Sequence, residues 1–82
     1  MKYVEIQKQI VSLIAQVTQC EESGIDPRIA LQEYGFDEFD MIEYVMKCED
    51  AFGVVIEDDE IPNLQSVDDT VRYIMSKKET SL

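Results

Sequence analysis

The chain has 82 residues, with 18 acids against 7 bases, a formal net charge of −11 and no histidine. That length holds one domain, residues 1–82, and not two, and 45% hydrophobic with 30% charged residues is the balance of an ordinary soluble globular fold. Phosphate-backbone binding needs clustered Lys and Arg, so nucleic acid is excluded as an expected partner, and no apolar run approaches the ~18 residues of a membrane span.

The first segment, Tyr3 to about Thr18, places Tyr3, Ile6, Ile10, Leu13, Ile14 and Val17 at spacings of three and four, which is helical periodicity. Glu5, Gln7, Lys8 and Gln9 interrupt the apolar run that a signal peptide needs, so a cytoplasmic location is expected. The helix is expected to stop near Cys20–Gly24, with Gly24 as terminator. From Gly24 to Phe36 the pattern is irregular. Asp26-Pro27 disfavours helix, and Ile25, Ile29, Leu31 and Phe36 have no period, so a long loop with a short turn of helix is expected. Cys20 and Cys48 match no zinc or redox spacing and read as free thiols.

The second helix has the best-marked start. Asp37 is an N-cap, and Asp40, three residues on, completes a capping-box variant. Phe36 and Met41 hold the spacing of a hydrophobic staple. Asp37, Glu38 and Asp40 crowd the positive end of the helix dipole, each worth roughly 0.3–1 kcal/mol. The inward stripe is read as Met41, Val45, Cys48 and Phe52, widened by Ile42 and Met46, and Gly53 ends the helix. Val54-Val55-Ile56 is β-branched but has no partner strand. Glu57 to Ile61 reads as a short acidic helix closed around Pro62-Asn63. Ser66-x-x-Asp69 is a second capping box, leading into Val67, Val71 and Ile74, with Lys77 and Lys78 at the last turn and fraying from Glu79 to Leu82. The expectation is all-α: three main helices, a short third helix between the last two, and a long loop after the first.

The run Tyr34-Gly35-Phe36-Asp37-Glu38-Phe39-Asp40-Met41-Ile42-Glu43-Tyr44-Val45-Met46 resembles the most diagnostic segment of the acyl carrier proteins, where Gly-x-Asp-Ser-Leu-Asp opens the second helix. Gly35, Asp37, Asp40, Glu43, Val45, Met46, Phe52, Ile56, Val67 and Tyr73-Ile74 fall where that family commonly has the same or a similar residue. The resemblance runs without a gap from Leu31 to Ile74. It implies a four-helix, acyl-carrier-like bundle that is not an enzyme. It also implies partner recognition through Asp37, Phe39, Asp40, Ile42, Glu43, Met46, Glu49, Asp50 and Asp58, which meet basic surfaces of synthases, transferases and ligases. The charge distribution agrees, since between Glu33 and Glu60 eleven acids accompany one base, Lys47. A monomeric chain is expected.

In the family, the serine at the matching position carries 4′-phosphopantetheine. Here that position is Glu38, so no arm and no cofactor are expected as the sequence stands. Three readings of Glu38 remain open: a dipole-compatible residue in a relative that lost its arm, an anion mimicking the phosphate of a loaded carrier, or a replacement of a native serine in a working carrier. A stand-alone acidic inhibitor or immunity-type protein is a further alternative. The resemblance also places a chain-binding space between helices two and three, here lined by Ile42, Met46, Val55, Ile61 and Leu64 and expected to be filled or narrowed. No metal site is expected, because Glu57-Asp58-Asp59-Glu60 lacks the spacing of a calcium loop.

Overall fold

The computed structural model describes residues 2–80, with side chains through residue 78. Three α-helices carry the fold: α1 (Tyr3–Thr18), α2 (Glu38–Phe52) and α3 (Val67–Thr80). Short 3₁₀ turns occupy Glu22–Gly24, Leu31–Tyr34 and Asp58–Asn63, and no strand occurs among the described residues. The last of these turns is the expected short acidic helix, wound tighter than an α-helix and with Pro62 inside it.

The core is built from one stripe of each helix. Ile6, Ile10 and Ile14 of α1 meet Tyr44, Val45, Cys48 and Phe52 of α2 and Val67, Val71 and Ile74 of α3. Fully burying one such aliphatic side chain is worth ~1.5–3 kcal/mol. The aperiodic apolar residues of the first loop have the same destination: Ile25, Leu31 and Phe36 are buried against this cluster. The loop is fixed by backbone bonds to the α3 approach, Leu31 N–H to the Gln65 carbonyl at 2.7 Å and Asp68 N–H to the Pro27 carbonyl at 3.0 Å. The first turns of α1 and α3 meet where the Tyr3 hydroxyl (2.6 Å) and Gln7 Nε2 (3.1 Å) both donate to Asp68 Oδ1.

Three local expectations need correction. α1 ends on Gln19, at φ 59° and ψ 28°, and not on Gly24. The Thr18 hydroxyl donates to the Ile14 carbonyl at 2.8 Å and accepts from Cys20 N–H at 3.3 Å, so the helix end is closed before the glycine is reached. The inward stripe of α2 includes Tyr44, which is 0% exposed, whereas Ile42 and Met46 point outward at 51% and 59%. Tyr44 is tolerated inside because its hydroxyl donates to Thr70 Oγ1 at 2.7 Å, and its ring meets Phe36 edge-on, 5.6 Å between centroids. The second capping box is half formed: Ser66 Oγ accepts from Asp69 N–H at 3.2 Å, but the Asp69 carboxylate turns to Arg72 at 2.6 Å. The backbone is helical through Thr80, and residues 81–82, which belong to the segment expected to fray, lie outside the described range.

Candidate functional site: the exposed start and outer face of α2

Gly35, at φ 81°, closes the Leu31–Tyr34 turn with its N–H on the Gln32 carbonyl, and a side chain at this left-handed position would be strained. Phe36 then drops into the core and Asp37 caps α2. Asp37 Oδ1 accepts from Asp40 N–H at 2.8 Å, and Asp40 Oδ2 accepts from Asp37 N–H at 3.1 Å, so the expected capping box is present on both sides. Glu38 is the first helical residue and is exposed. Its carboxylate makes no hydrogen bond or ion pair among the described residues.

The candidate acids divide by what holds them. Asp37 and Asp40 are engaged in the cap. Glu49 is half-buried and accepts from Ile56 N–H at 2.8 Å, fixing the chain beyond Gly53. Glu43, Asp50 and Asp58 are exposed. Phe39 is 78% exposed and shares the outer face of α2 with Ile42 and Met46, at spacings of three and four residues. On the same wheel Glu43 and Asp50 fall beside Phe39 and Met46, so the outer face is an apolar stripe edged by acids. Asp58, on the Asp58–Asn63 turn, stands apart from α2 in sequence.

Beside the first turn of α2 lies a half-open groove of about 350 Å³. Leu31, Phe36, Met41, Ile61 and Leu64 make it apolar, and Asp37 and Glu38 stand at its edge. Of the five residues expected to line a chain-binding space, Ile61 and Leu64 do so. Ile42, Met46 and Val55 do not, since all three face outward. Of the expected filled or narrowed space, the filled form is not what the structure holds. The sequence carries no sign that Leu31 and Phe36 are wall residues, because their positions come from loop docking, which leaves no periodic signal. The wall carrying Ile61 is held to α3 by Glu60, whose carboxylate accepts from the Tyr73 hydroxyl and faces Lys77 Nζ at 3.9 Å.

Burial pushes the Cys48 thiol up to about 12 and raises Tyr44 well above its ordinary value, keeping both protonated in the core. Among the described residues no three His, Cys, Asp or Glu side chains converge as a metal ion would require, and no helix is long and apolar enough to cross a membrane. No serine or threonine lines the groove. Ser66 is buried at the start of α3, Ser23 lies in the Glu22–Gly24 turn, and Ser12 is on α1.

A family model described as "Phosphopantetheine attachment site" matches residues 8–74. The meromycolate extension acyl carrier proteins of Mycobacterium leprae and Mycobacterium tuberculosis are 34% identical over 76 residues, 92% of this chain and 66% of theirs. The chain thus spans just under two thirds of those relatives. The acyl carrier protein of Rickettsia bellii is 33% identical over 79 residues, covering 94% of this chain and 91% of its own. In fold, the chain superposes with a TM-score of 0.85 on a free-standing peptidyl carrier protein from an uncharacterized Acinetobacter baumannii secondary metabolic pathway, at 19% identity over 94% of this chain and 96% of that one. The matched region begins at Lys8, so α1 belongs to the likeness as well as the Leu31–Ile74 stretch. The chain is a member of the phosphopantetheine-attachment-site family, the acyl and peptidyl carrier proteins, whose members carry substrates and do not catalyse.

Proposed function

We propose that this chain is a carrier-type module of acyl- or peptide-building biosynthesis that docks basic enzyme surfaces through the outer face of α2 and bears no phosphopantetheine arm as its sequence stands. The carrying observation is the exposed carboxylate of Glu38 at the first position of α2. Attaching the arm requires a hydroxyl oxygen to attack the β-phosphorus of coenzyme A and leave a stable phosphodiester. A carboxylate attacking the same atom would leave an acyl phosphate, a mixed anhydride that water cleaves. The residues present therefore do not fit the covalent group.

Docking is supported by Phe39, Ile42 and Met46 with Glu43 and Asp50 beside them. Such a face offers desolvatable anchors and a negative rim, which steers a basic partner and fixes its register. We also read residues 1–82 as one carrier-like domain, monomeric and cytoplasmic. The one buried cluster among the described residues, drawn from all three helices, supports the first of these.

A second reading, a working carrier whose serine at position 38 was replaced, is favoured by one observation: the groove beside Glu38 is open. One experiment addresses both readings. The protein and its Glu38→Ser variant are incubated with coenzyme A and a broad-specificity phosphopantetheinyl transferase, and intact masses are measured. The native chain is expected to gain nothing and Glu38→Ser to gain one arm. An arm on the native chain overturns the proposal. In the Glu38→Ser background, adding Phe39→Ala or Glu43→Lys is expected to lower kcat/KM for loading by about tenfold, with the charge effect fading as salt rises. Unchanged loading in both would remove the docking assignment.

A further inference from the structure

The connection from α2 to α3 is anchored at both ends and loosely held between them. Ile56 and Leu64 are core residues, 5% and 1% exposed, and Ile56 N–H is fixed on the Glu49 carboxylate. In the span 57–63 no residue is buried, and only Glu60 and Ile61 are half-buried. Its backbone bonds are local: Glu60 N–H donates to the Glu57 carbonyl and Leu64 N–H to the Ile61 carbonyl, both at 3.0 Å. Glu57, Asp58, Asp59 and Glu60 place four carboxylates in succession, which repel one another. Two attachments to α3 meet on one of them. The Tyr73 hydroxyl donates to Glu60, and Lys77 Nζ lies 3.9 Å from the same carboxylate and 5.5 Å over the Tyr73 ring. Burial, and then the Glu60 carboxylate with those of Glu57 and Asp59, raise the Tyr73 phenol above its ordinary value, so it stays protonated and remains the donor.

We propose that the span 57–63 is a strap that opens and recloses while the three-helix core stays folded, and that the Tyr73–Glu60 bond, reinforced by Lys77, is its latch. Opening costs little because the strap gives up one half-buried apolar side chain, Ile61, whereas global unfolding exposes the whole cluster of the three helices. Ile56 and Leu64 stay in the core and set the limits of the movement. The strap carries Ile61 and Pro62 of the groove wall together with the exposed acids Glu57, Asp58 and Asp59. Its release therefore shifts the wall and the acidic surface as one body, and a single carboxylate controls both. The latch is independent of Glu38 and of whether any arm is attached there.

The test is amide hydrogen exchange of the full chain under native conditions, read by NMR at a series of low urea concentrations. The amides of Glu60 and Leu64 report on the strap, and those of Ile14 and Val71 on the core. Strap amides are expected to exchange at least about 100-fold faster than core amides and at a rate almost independent of urea, whereas core exchange climbs with urea because it requires exposure of the core. Tyr73→Phe keeps the ring and removes the donor, and is expected to speed the strap amides by about tenfold, as befits a hydrogen bond to a charged acceptor. Lys77→Met is expected to speed them by about twofold, an effect that fades at high salt. Ile10→Val loosens the core away from the strap; it is expected to speed core amides by roughly twofold to tenfold and to leave strap amides unchanged. Circular dichroism confirms that each variant folds. Strap amides that exchange at the core rate and rise with urea in step with it, a Tyr73→Phe strap rate equal to that of the native chain, or an Ile10→Val variant that speeds both sets equally would each overturn the proposal.

Discussion

The Tyr44–Thr70 hydrogen bond is the buried polar link between α2 and α3, and its two ends are not equivalent. The Tyr44 hydroxyl donates to Thr70 Oγ1 at 2.7 Å, and Thr70 Oγ1 donates in turn to the Ser66 carbonyl at 3.1 Å. Both side chains are 0% exposed. In Tyr44→Phe the Thr70 hydroxyl keeps its donor bond to Ser66, so the loss is one ordinary hydrogen bond, about 1 kcal/mol. In Thr70→Val the Ser66 carbonyl still accepts from the residue-70 N–H, at 3.2 Å in the native chain, but the buried Tyr44 hydroxyl loses its oxygen acceptor and keeps only the weak Cys48 thiol beside it. Leaving a buried donor without a strong acceptor costs ~1–3 kcal/mol, so the smaller residue change is the more damaging one. The double variant removes that hydroxyl and is expected to be more stable than Thr70→Val alone, with a coupling of roughly 1 kcal/mol. Thermal unfolding followed by circular dichroism resolves this, because 1 kcal/mol moves the Tm of a domain of this size by about 4–8 °C. Additive losses in the double variant, or a larger loss from Tyr44→Phe than from Thr70→Val, would refute the reasoning.

Stability is expected to fall at alkaline pH. Cys48 is pushed up from 9.0 to about 12 by burial, and Tyr44 is raised by the same cause, so the folded chain retains protons that the unfolded chain releases. Stability is therefore full below about pH 9 and declines as pH rises toward 12, by up to ~1.4 kcal/mol per pH unit for each group; urea midpoints between pH 7 and 11 check the sign. The same burial makes Cys48 inert, so iodoacetamide at pH 8 is expected to add one label to the native protein, at exposed Cys20, and two after denaturation, read by mass spectrometry. Gly53→Ala is expected to cost about 1 kcal/mol in urea unfolding, because residue 53 ends α2 at φ 64°. Glu49→Ala, which leaves the part-buried Ile56 N–H without its acceptor, is expected to cost ~1–3 kcal/mol in the same assay, with no loss in a docking assay once the fold is held at low temperature.

What the sequence revealed and what it hid follow from the range of the interactions involved. The Asp37–Asp40 cap, the end of α2 at Gly53 and the buried faces of α1 and α3 are local or periodic, and each stands in the structure where the residue pattern put it. The helical pattern alone does not place Tyr44 in the buried stripe, because a tyrosine enters a core only if its hydroxyl finds a partner. That partner is 26 residues away, on another helix. The chemistry of Ile42 and Met46 points inward, yet they sit opposite the Tyr44, Cys48 and Phe52 face once the helix phase is set. The position of the groove is hidden in the sequence for a similar reason. Leu31 and Phe36 reach it through backbone bonds between the first loop and the approach to α3, and neither segment announces the other.

The acids of α2 gain meaning once those fixed by folding are set aside. Asp37 and Asp40 hold the helix start and Glu49 holds the chain after its end, so three of the carboxylates along this helix are explained by structure alone. Glu43 and Asp50 are not, and they fall on the face that also exposes Phe39, Ile42 and Met46. Three large apolar side chains exposed on one helical face cost solubility, and nothing inside the molecule uses them. A partner that covers Phe39 and Met46 while presenting bases to Glu43 and Asp50 accounts for both features at once. Glu38, at the rim of the groove, faces a different environment from that stripe. The two surfaces of α2 are therefore separable by mutation: Phe39→Ala bears on docking, Glu38→Ser on attachment of the arm, and neither change touches the cap that keeps the helix in place.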